Sequence, residues 1–173
     1  LTDLPAIKKE PFLYNQMDFV EKIQFQLSGY YARKDLGGTE YKSLRRSWEN
    51  LADEILSSHE YRSYLNKSGY AKGILNSLQL EGAGPEEKMQ RLHDYVTANY
   101  TWNGKYRRFT YNKLSDISTR SEAHSSEINL LLTLLLNEAG IEAFPMLIST
   151  RSNGLYMKEY PFLTQFNHLI VYA

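Results

Sequence analysis

The sequence feature that most constrains the fold is an apolar helix that opens with serines and is followed by two strand-like segments. Ser125 and Ser126 begin this helix, and Gly140 stops it after a run dominated by leucine. A helix that is apolar on most of its faces needs to be buried. Ile141–Thr150 and Phe166–Tyr172 have the apolar character of strands. This order of elements predicts an α+β fold.

Composition excludes several classes of function. The 173 residues suit a single domain with one core. Twenty basic and twenty acidic residues cancel, so we expect no nucleic-acid partner and no charge-driven binding to a membrane surface. The chain contains no cysteine, which rules out disulfides, cysteine-ligated metal sites and thiol catalysis. No apolar run is long enough to cross a bilayer, so we expect no membrane insertion by this segment.

The part of the chain before this helix predicts one strand followed by helices. Asp18–Ser28 alternates between apolar and polar residues, which is typical of a half-buried strand. Gly29–Glu40 predicts a loop, and Tyr100–Asp116 predicts extended or irregular structure. Apolar residues at helical spacing predict helices over Tyr41–Ile55, His59–Lys67, Tyr70–Leu80 and from Pro85, the last with Met89, Leu92, Val96 and Tyr100 on its buried face.

We divide the chain into two parts. Residues 1–40 are interpreted as a linker and a strand from a preceding region, and residues 41–173 as the core. The chain ends inside an apolar alternating run, Leu169–Ala173. We therefore expect it to be a segment excised from a longer protein, with the C-terminal strand or strands of the core missing.

Ser125 and His168 are the candidate catalytic residues. A polar side chain at the start of a helix, with a histidine on a nearby strand, is a common arrangement of a nucleophile and its base. Ser125 is equally a preferred N-cap residue, which would give it a structural role. Ser126 takes either role if the helix begins one residue later. His168 is either that base or a structural residue of its strand.

The other polar residues near this helix have simpler interpretations. His124 is a replacement acid or base, or a loop residue near the site. Glu127 lies in the first helical turn, where a negative charge is stabilised by the helix dipole. His59 and His93 have no companions at metal-ligand spacing. We therefore expect neither a metal site nor a cofactor.

Several motifs in a fixed order carry a likeness to a known family. They are Tyr100–Tyr106, Ser125-x-Glu127-x-Asn129, Ala139–Ala143, Leu147–Gly154, Tyr160-Pro161 and Phe166–His168. In this order they resemble the transglutaminase-like superfamily, which is related to the papain-like cysteine peptidases. The resemblance is best from about Pro85 to Ala173, and the closest version is that of bacterial cell-envelope proteins, behind a β-rich domain.

The resemblance implies a papain-like core in which a helical N-terminal part packs on an antiparallel sheet. In that family a catalytic cysteine opens the helix, the histidine lies on the second following strand, and an aspartate follows on the next. Here Ser125 stands at the cysteine position, and the aspartate would lie beyond Ala173. A thiol beside a histidine ionises, whereas a serine hydroxyl needs base catalysis during attack. The resemblance therefore implies a domain that has lost its nucleophile and serves as a binding or structural module in the cell envelope or periplasm.

Two alternatives remain open. The first is a Ser–His acyl-transfer enzyme, of the peptidase or amidase type, that uses Ser125 and His168. The second is a glycan- or peptide-binding domain that uses the aromatic and basic surface Trp102–Tyr111. In each case the ligand is a protein, a peptide or a glycan. The residues expected to line the cleft or bind the ligand are Trp102, Asn103, His124, Ser126 and Asn167.

Overall fold

One buried helix, α6 (Ser125–Glu138), organises the structure. The computed structural model describes residues 11–13, 15–20, 23, 25, 27–35, 37–44 and 47–173. The helices before α6 are α1 (Trp48–Ser57), α2 (His59–Leu65), α3 (Ser68–Leu78), α4 (Pro85–Asn99) and α5 (Leu114–Arg120). The strands are β1 (Gly29–Arg33), β2 (Thr39–Ser43), β3 (Thr101–Trp102), β4 (Glu122–Ala123), β5 (Phe144–Ile148) and β6 (His168–Tyr172). The predicted α+β class is confirmed.

Helix α6 is buried because it is apolar on nearly every side. It packs against α2, α3 and α4 and against strand β6. Leu130, Leu131 and Leu135 are fully buried, as is Leu169 of the strand. Burial of several leucines in one cluster supplies a large share of the hydrophobic stabilisation of a domain of this size. The core therefore lies directly behind the first turn of α6.

The C-terminal end of α6 sets the course of the two strands that follow. Gly140 has φ of 82°, a left-handed conformation that glycine adopts without steric cost. The side chain of Asn137 then bonds both backbone groups of Ala143, each at 2.9 Å. Strand β5 leads on to β6, which pairs with it antiparallel so that Ile148 lies opposite His168. Both predicted strands are confirmed, with shorter bounds.

A two-residue parallel pairing brings the segment after α4 to the start of α6. Thr101 lies opposite Glu122, and Trp102 lies opposite Ala123. Most of the chain between Trp102 and α5 is irregular, as predicted, but α5 begins at Leu114, inside the predicted irregular range Tyr100–Asp116. The pairing places this irregular segment across the first turn of α6.

The prediction of a strand over Asp18–Ser28 is wrong for the residues described there. Asp18 belongs to a short 3-10 turn, Gln16–Phe19. Ile23 and Phe25 are 81% and 95% exposed and lie outside any strand. Residues 21, 22, 24 and 26 lie outside the described residues. The alternating pattern offers one apolar face, but a strand also needs a hydrogen-bonded partner.

The predicted loop over Gly29–Glu40 is a β-hairpin instead. Strands β1 and β2 pair antiparallel, with Tyr31 opposite Tyr41. Gly37 and Gly38 have φ of 87° and 93°, so the two glycines turn the chain tightly enough for the flanking residues to pair. Whether the core begins at residue 41 stays a prediction.

The helices are mostly where the sequence predicts them. The first begins at Trp48 rather than Tyr41, because Tyr41 belongs to β2 and Ser47 is the N-cap, accepting a hydrogen bond from the Asn50 N–H at 3.2 Å. Helices α2, α3 and α4 match their predictions closely. Leu92 and Val96 of α4 are buried as expected. None of the described helices combines the length and hydrophobicity that crossing a bilayer requires.

Replacing Leu131 by alanine tests the role of α6 as the core. Because Leu131 is fully buried, we expect Leu131→Ala to lower the free energy of unfolding by about 3 kcal/mol. Leu155 is 79% exposed, so Leu155→Ala is the matched control and should change it by less than about 0.5 kcal/mol. Urea denaturation followed by circular dichroism measures both. Similar losses in the two variants would contradict the assignment of the core.

Candidate functional site

The backbone of residues 105–107 crosses the start of α6 and binds Ser125. The Ser125 N–H donates to the Lys105 carbonyl at 3.1 Å. The Arg107 N–H donates to Ser125 Oγ at 2.9 Å, and Ser125 Oγ lies 3.3 Å from the Arg107 carbonyl, to which it donates. Ser125 is only 4% exposed. Its hydroxyl therefore serves the backbone of a single residue as both donor and acceptor.

Tyr106 links this segment to His168. The two rings meet edge to face, with centroids 4.7 Å apart. On its other side Tyr106 lies 5.0 Å from the ring of Trp102, whose Nε1 donates to the Lys105 carbonyl at 3.1 Å. Trp102 and Tyr106 are about half exposed. These three rings, Trp102, Tyr106 and His168, form an aromatic row beside the start of α6.

His168 lies in this row without a polar partner for its buried nitrogen. Within the described part of the chain, Nδ1 is buried and forms no hydrogen bond. None of the hydrogen bonds between described residues joins His168 to Ser125. Burial lowers the pKa of the imidazole below its usual value. Among the described residues, the ring is therefore held mainly by packing, and no carboxylate is bonded to it.

The structure brings a different serine and histidine into contact. Ser126 Oγ lies 3.0 Å from Nδ1 of His124, and it donates to the Phe109 carbonyl at 2.9 Å. His124 Nε2 lies 3.4 Å from a carboxylate oxygen of Glu127. Burial lowers the pKa of His124, and the positive charge of Arg107 adds to this, although the Glu127 carboxylate opposes it. Ser126 is fully buried.

Glu127 is the polar centre of this region. Its Oε1 accepts hydrogen bonds from Thr110 at 3.3 Å, Asn112 at 2.6 Å and Arg120 at 3.2 Å. Its Oε2 accepts from the His124 N–H at 3.0 Å. The side chain is 1% exposed, and a buried carboxylate needs partners of this kind. Glu127 therefore ties the irregular segment and α5 to the first turn of α6.

The two predicted asparagines have local partners. Asn103 bonds the Ala123 carbonyl through its N–H at 3.0 Å, and its side chain accepts from the Lys105 N–H at 3.1 Å. Asn167 bonds both the backbone N–H and the hydroxyl of Thr150, at 2.9 and 2.8 Å. Asn103 therefore shapes the turn that leads into residues 105–107. Asn167 closes the connection between β5 and β6.

Six of the predicted site residues thus come together and one does not. His124, Ser125 and Ser126 share the start of α6, Trp102 and Asn103 lie beside it through β3, and His168 joins through Tyr106. Within the described residues, the side chain of Asn167 is hydrogen-bonded to Thr150 in the β5–β6 connection and to none of the other predicted site residues. Sequence reasoning missed the central position of Tyr106 and the multiple partners of Glu127. The partners of Glu127 had a signal in the sequence, because a glutamate at the third position of a helix is typical of a capping box.

Cavities formed by described residues lie on this part of the surface, and two of them bear on the site. The first, which we name the basic pocket, has a volume of about 390 Å³ and is lined by Arg107, Arg108, Phe109, Tyr111, Asn112 and His124. The second, the apolar groove, has a volume of about 680 Å³ and runs along β5 beside α1, with Trp48, Met146, Tyr156 and Phe166 among its lining residues. Within the described residues, no group of three or more histidine or carboxylate side chains could hold a metal ion.

Comparison with known proteins supports the fold alone. No protein-family model matches this chain, and no curated protein matches it either. The chain is similar to a crystal structure from Parabacteroides distasonis ATCC 8503 named as a "putative protease", with a TM-score of 0.50 and 18% sequence identity. The match covers 72% of this chain but only 23% of that one. The protease-like fold is consistent with the expected likeness, while membership of the transglutaminase-like superfamily stays a prediction.

A change at Glu127 tests its role in holding the site together. Glu127→Gln keeps the shape but replaces a charged acceptor with an amide that carries two donors, which would face other donors. We expect the free energy of unfolding to fall by about 2 kcal/mol. Glu122→Gln removes an exposed carboxylate five residues earlier and should change it by less than about 0.5 kcal/mol. Urea denaturation measures both, and equal stability of the two variants would refute the role of Glu127.

The pKa of His168 predicts how stability depends on pH. Because its folded-state pKa is lowered, the unfolded chain binds more protons as the pH falls below the ordinary value of about 6.5. The contribution of neutral His168 to folding stability is thus fully present above that pH and is lost as the pH falls toward its folded-state pKa. We expect His168→Phe, which keeps a ring against Tyr106, to lose less stability than the unmodified chain between about pH 7.5 and about pH 5. Denaturation at both pH values measures this, and identical losses would contradict it.

Proposed function

We propose that this chain is a binding module with a transglutaminase-like, papain-related fold that has lost its catalytic nucleophile. In this proposal it is part of a larger protein of the bacterial cell envelope or periplasm and recognises a peptide. The observation that carries the proposal is the state of Ser125, whose hydroxyl is buried and bonded to the backbone of Arg107. In this role the hydroxyl stabilises the fold instead of attacking a substrate.

Chemistry supports a structural role for Ser125. A serine nucleophile needs a general base within hydrogen-bond reach and donors that stabilise the oxyanion. Among the described residues, Ser125 Oγ is hydrogen-bonded only to Arg107. His168 in turn lacks the carboxylate that would orient its ring and stabilise an imidazolium. A site adapted to an ionised thiolate would not need to supply a serine hydroxyl with a general base and oxyanion donors.

The surface around the site supports a peptide as the ligand. The aromatic row and the basic pocket lie beside the start of α6. The apolar groove lies beside the β5–β6 pair. Half-exposed rings such as Trp102 and Tyr106 combine an apolar face with a polar edge, which suits protein and peptide recognition. A fold similar to that of a protein named as a protease is compatible with retained peptide binding. A glycan stacked on the Trp102–Tyr111 surface is the competing ligand class.

The alternative is a Ser–His acyl-transfer enzyme. Ser125 and His168 were the expected pair, but the contact that favours such an enzyme is that of Ser126 with His124, with Glu127 at the far side of the imidazole. This order of groups matches the roles in a catalytic triad. Ser126 is fully buried and donates to the Phe109 carbonyl. Access of a substrate to Ser126 would require residues 107–110 to move away from α6.

Reaction with a fluorophosphonate probe separates the two functions. We expect the purified chain to remain unlabelled and to show no turnover of peptide, amide or ester substrates. Ser125→Ala should then lower only stability, by about 1 kcal/mol, because one hydrogen-bonded hydroxyl is lost. Mass spectrometry and urea denaturation provide the measurements.

Two matched variants give this experiment its specificity. Turnover that disappears in Ser125→Ala would refute the loss of the nucleophile at that position. Labelling that disappears in Ser126→Ala but persists in Ser125→Ala would establish the alternative enzyme instead. A stability loss in Ser125→Ala without any labelling of the unmodified chain supports the binding module.

A further inference from the structure

The basic pocket is a preformed cavity that neither Ser125 nor His168 lines, although His124 of the alternative pair belongs to its wall. Its lining combines two arginines, an asparagine and a histidine with two aromatic rings. Tyr61 donates to the Arg108 carbonyl at 3.0 Å, and Arg108 Nη1 donates to the Leu163 carbonyl at 2.6 Å. The side chain of Asn112 is held by Glu127. The pocket is therefore rigid before any ligand binds, which reduces the entropy cost of binding.

The charge of the pocket is positive and is not neutralised by its neighbours. Lys105, Arg107 and Arg120 all act on His124 as positive charges, and Glu127 is the opposing negative charge. Glu127 already accepts several hydrogen bonds, including that of Arg120. Among the described residues, neither Arg107 nor Arg108 forms an ion pair with a carboxylate. Two guanidinium groups that have no carboxylate partner among the described residues therefore lie in one cavity and favour an anionic ligand, although Nη1 of Arg108 is already bonded to the Leu163 carbonyl.

We propose that the basic pocket binds a carboxylate of the peptide ligand, either an acidic side chain or the C-terminal carboxylate. This inference rests on the proposed function as a peptide-binding module. Arg107 and Arg108 contact the carboxylate directly, since a guanidinium donates to a carboxylate through two parallel N–H groups. The exposed ring of Tyr111, 86% accessible, covers the apolar part of the neighbouring residue.

The surroundings favour a peptide carboxylate over other anions. The buried carboxylate of Glu127 stands behind Asn112 and His124, and it repels a dianion such as phosphate more strongly than a single carboxylate. An acidic sugar would be held best by stacking on flat exposed rings. Phe109 is only half-buried and its ring is already packed edge to face on Tyr61, with centroids 5.6 Å apart. One exposed ring therefore remains in the pocket.

Nuclear magnetic resonance of the intact chain tests this with defined probes. The probes are alanine pentapeptides, acetylated and amidated, with a central glutamate or a central glutamine, and one acetylated all-alanine peptide with a free C-terminal carboxylate. We expect the glutamate peptide, the free-carboxylate peptide or both to shift the side-chain N–H signals of Arg107 and Arg108. The glutamine peptide should bind about tenfold more weakly than its glutamate counterpart. Equal binding of these two, together with no shift of the arginine signals by the free-carboxylate peptide, would overturn the proposal.

Arg107→Gln is the decisive variant, because this exposed side chain has no bond in the described structure that its loss would break. It should weaken binding of the carboxylate peptide about tenfold. Arg33→Gln removes the same charge from the exposed hairpin strand β1 and should leave binding unchanged. The backbone spectrum of each variant shows directly that it is folded. Unchanged binding in Arg107→Gln would overturn the assignment of the pocket.

The remaining outcomes separate this inference from the proposed function. If the peptides bind but shift only signals of the apolar groove, such as that of the Trp48 indole, the pocket assignment fails and the binding module stands. If digalacturonate binds the pocket more tightly than any carboxylate peptide, the ligand class is wrong. Hydrolysis of the peptides during the titration would refute the proposed function, whatever the pocket binds.

Discussion

The buried carboxylate of Glu127 is the interaction on which the rest of the site depends. It joins three successive parts of the chain: the irregular segment through Thr110 and Asn112, helix α5 through Arg120, and the first turn of α6. A carboxylate in this position is costly to bury unless its oxygens are satisfied. Its partners therefore determine one arrangement of the segment over α6, and the position of residues 105–108 follows from it.

That arrangement separates the two residues that the sequence predicted as a catalytic pair. The segment that Glu127 holds down also supplies the Arg107 backbone groups that engage Ser125. The same segment carries Tyr106, which packs on His168. Ser125 and His168, the expected catalytic pair, thus both contact this segment, and no hydrogen bond among the described residues joins them to each other. The segment also places Arg107 and Arg108 in the lining of the basic pocket.

The sequence predicted those elements whose pattern is local and strong. Helix α6 combines a polar first turn, an apolar body and a terminal glycine, so its limits followed from well-understood signals. Helix α4, with Pro85 at its start, was equally clear. The β1–β2 hairpin was missed because Gly37 and Gly38 were interpreted as the end of a loop instead of a turn. The strand expected before it alternated correctly, but periodicity contains no information about a pairing partner.

Residue types and short-range spacing were enough to predict that α6 is buried, that it opens with serines, that strands follow it and that no thiol can act in the site. Which groups meet depends on the folded chain: Ser126 with His124, Ser125 with the Arg107 backbone, and His168 with Tyr106. The reason is that each choice depends on how the irregular segment lies over α6. The Glu127 carboxylate, with side-chain donors up to 17 residues away, sets that path, and the capping-box pattern encodes only its local bond to the His124 N–H.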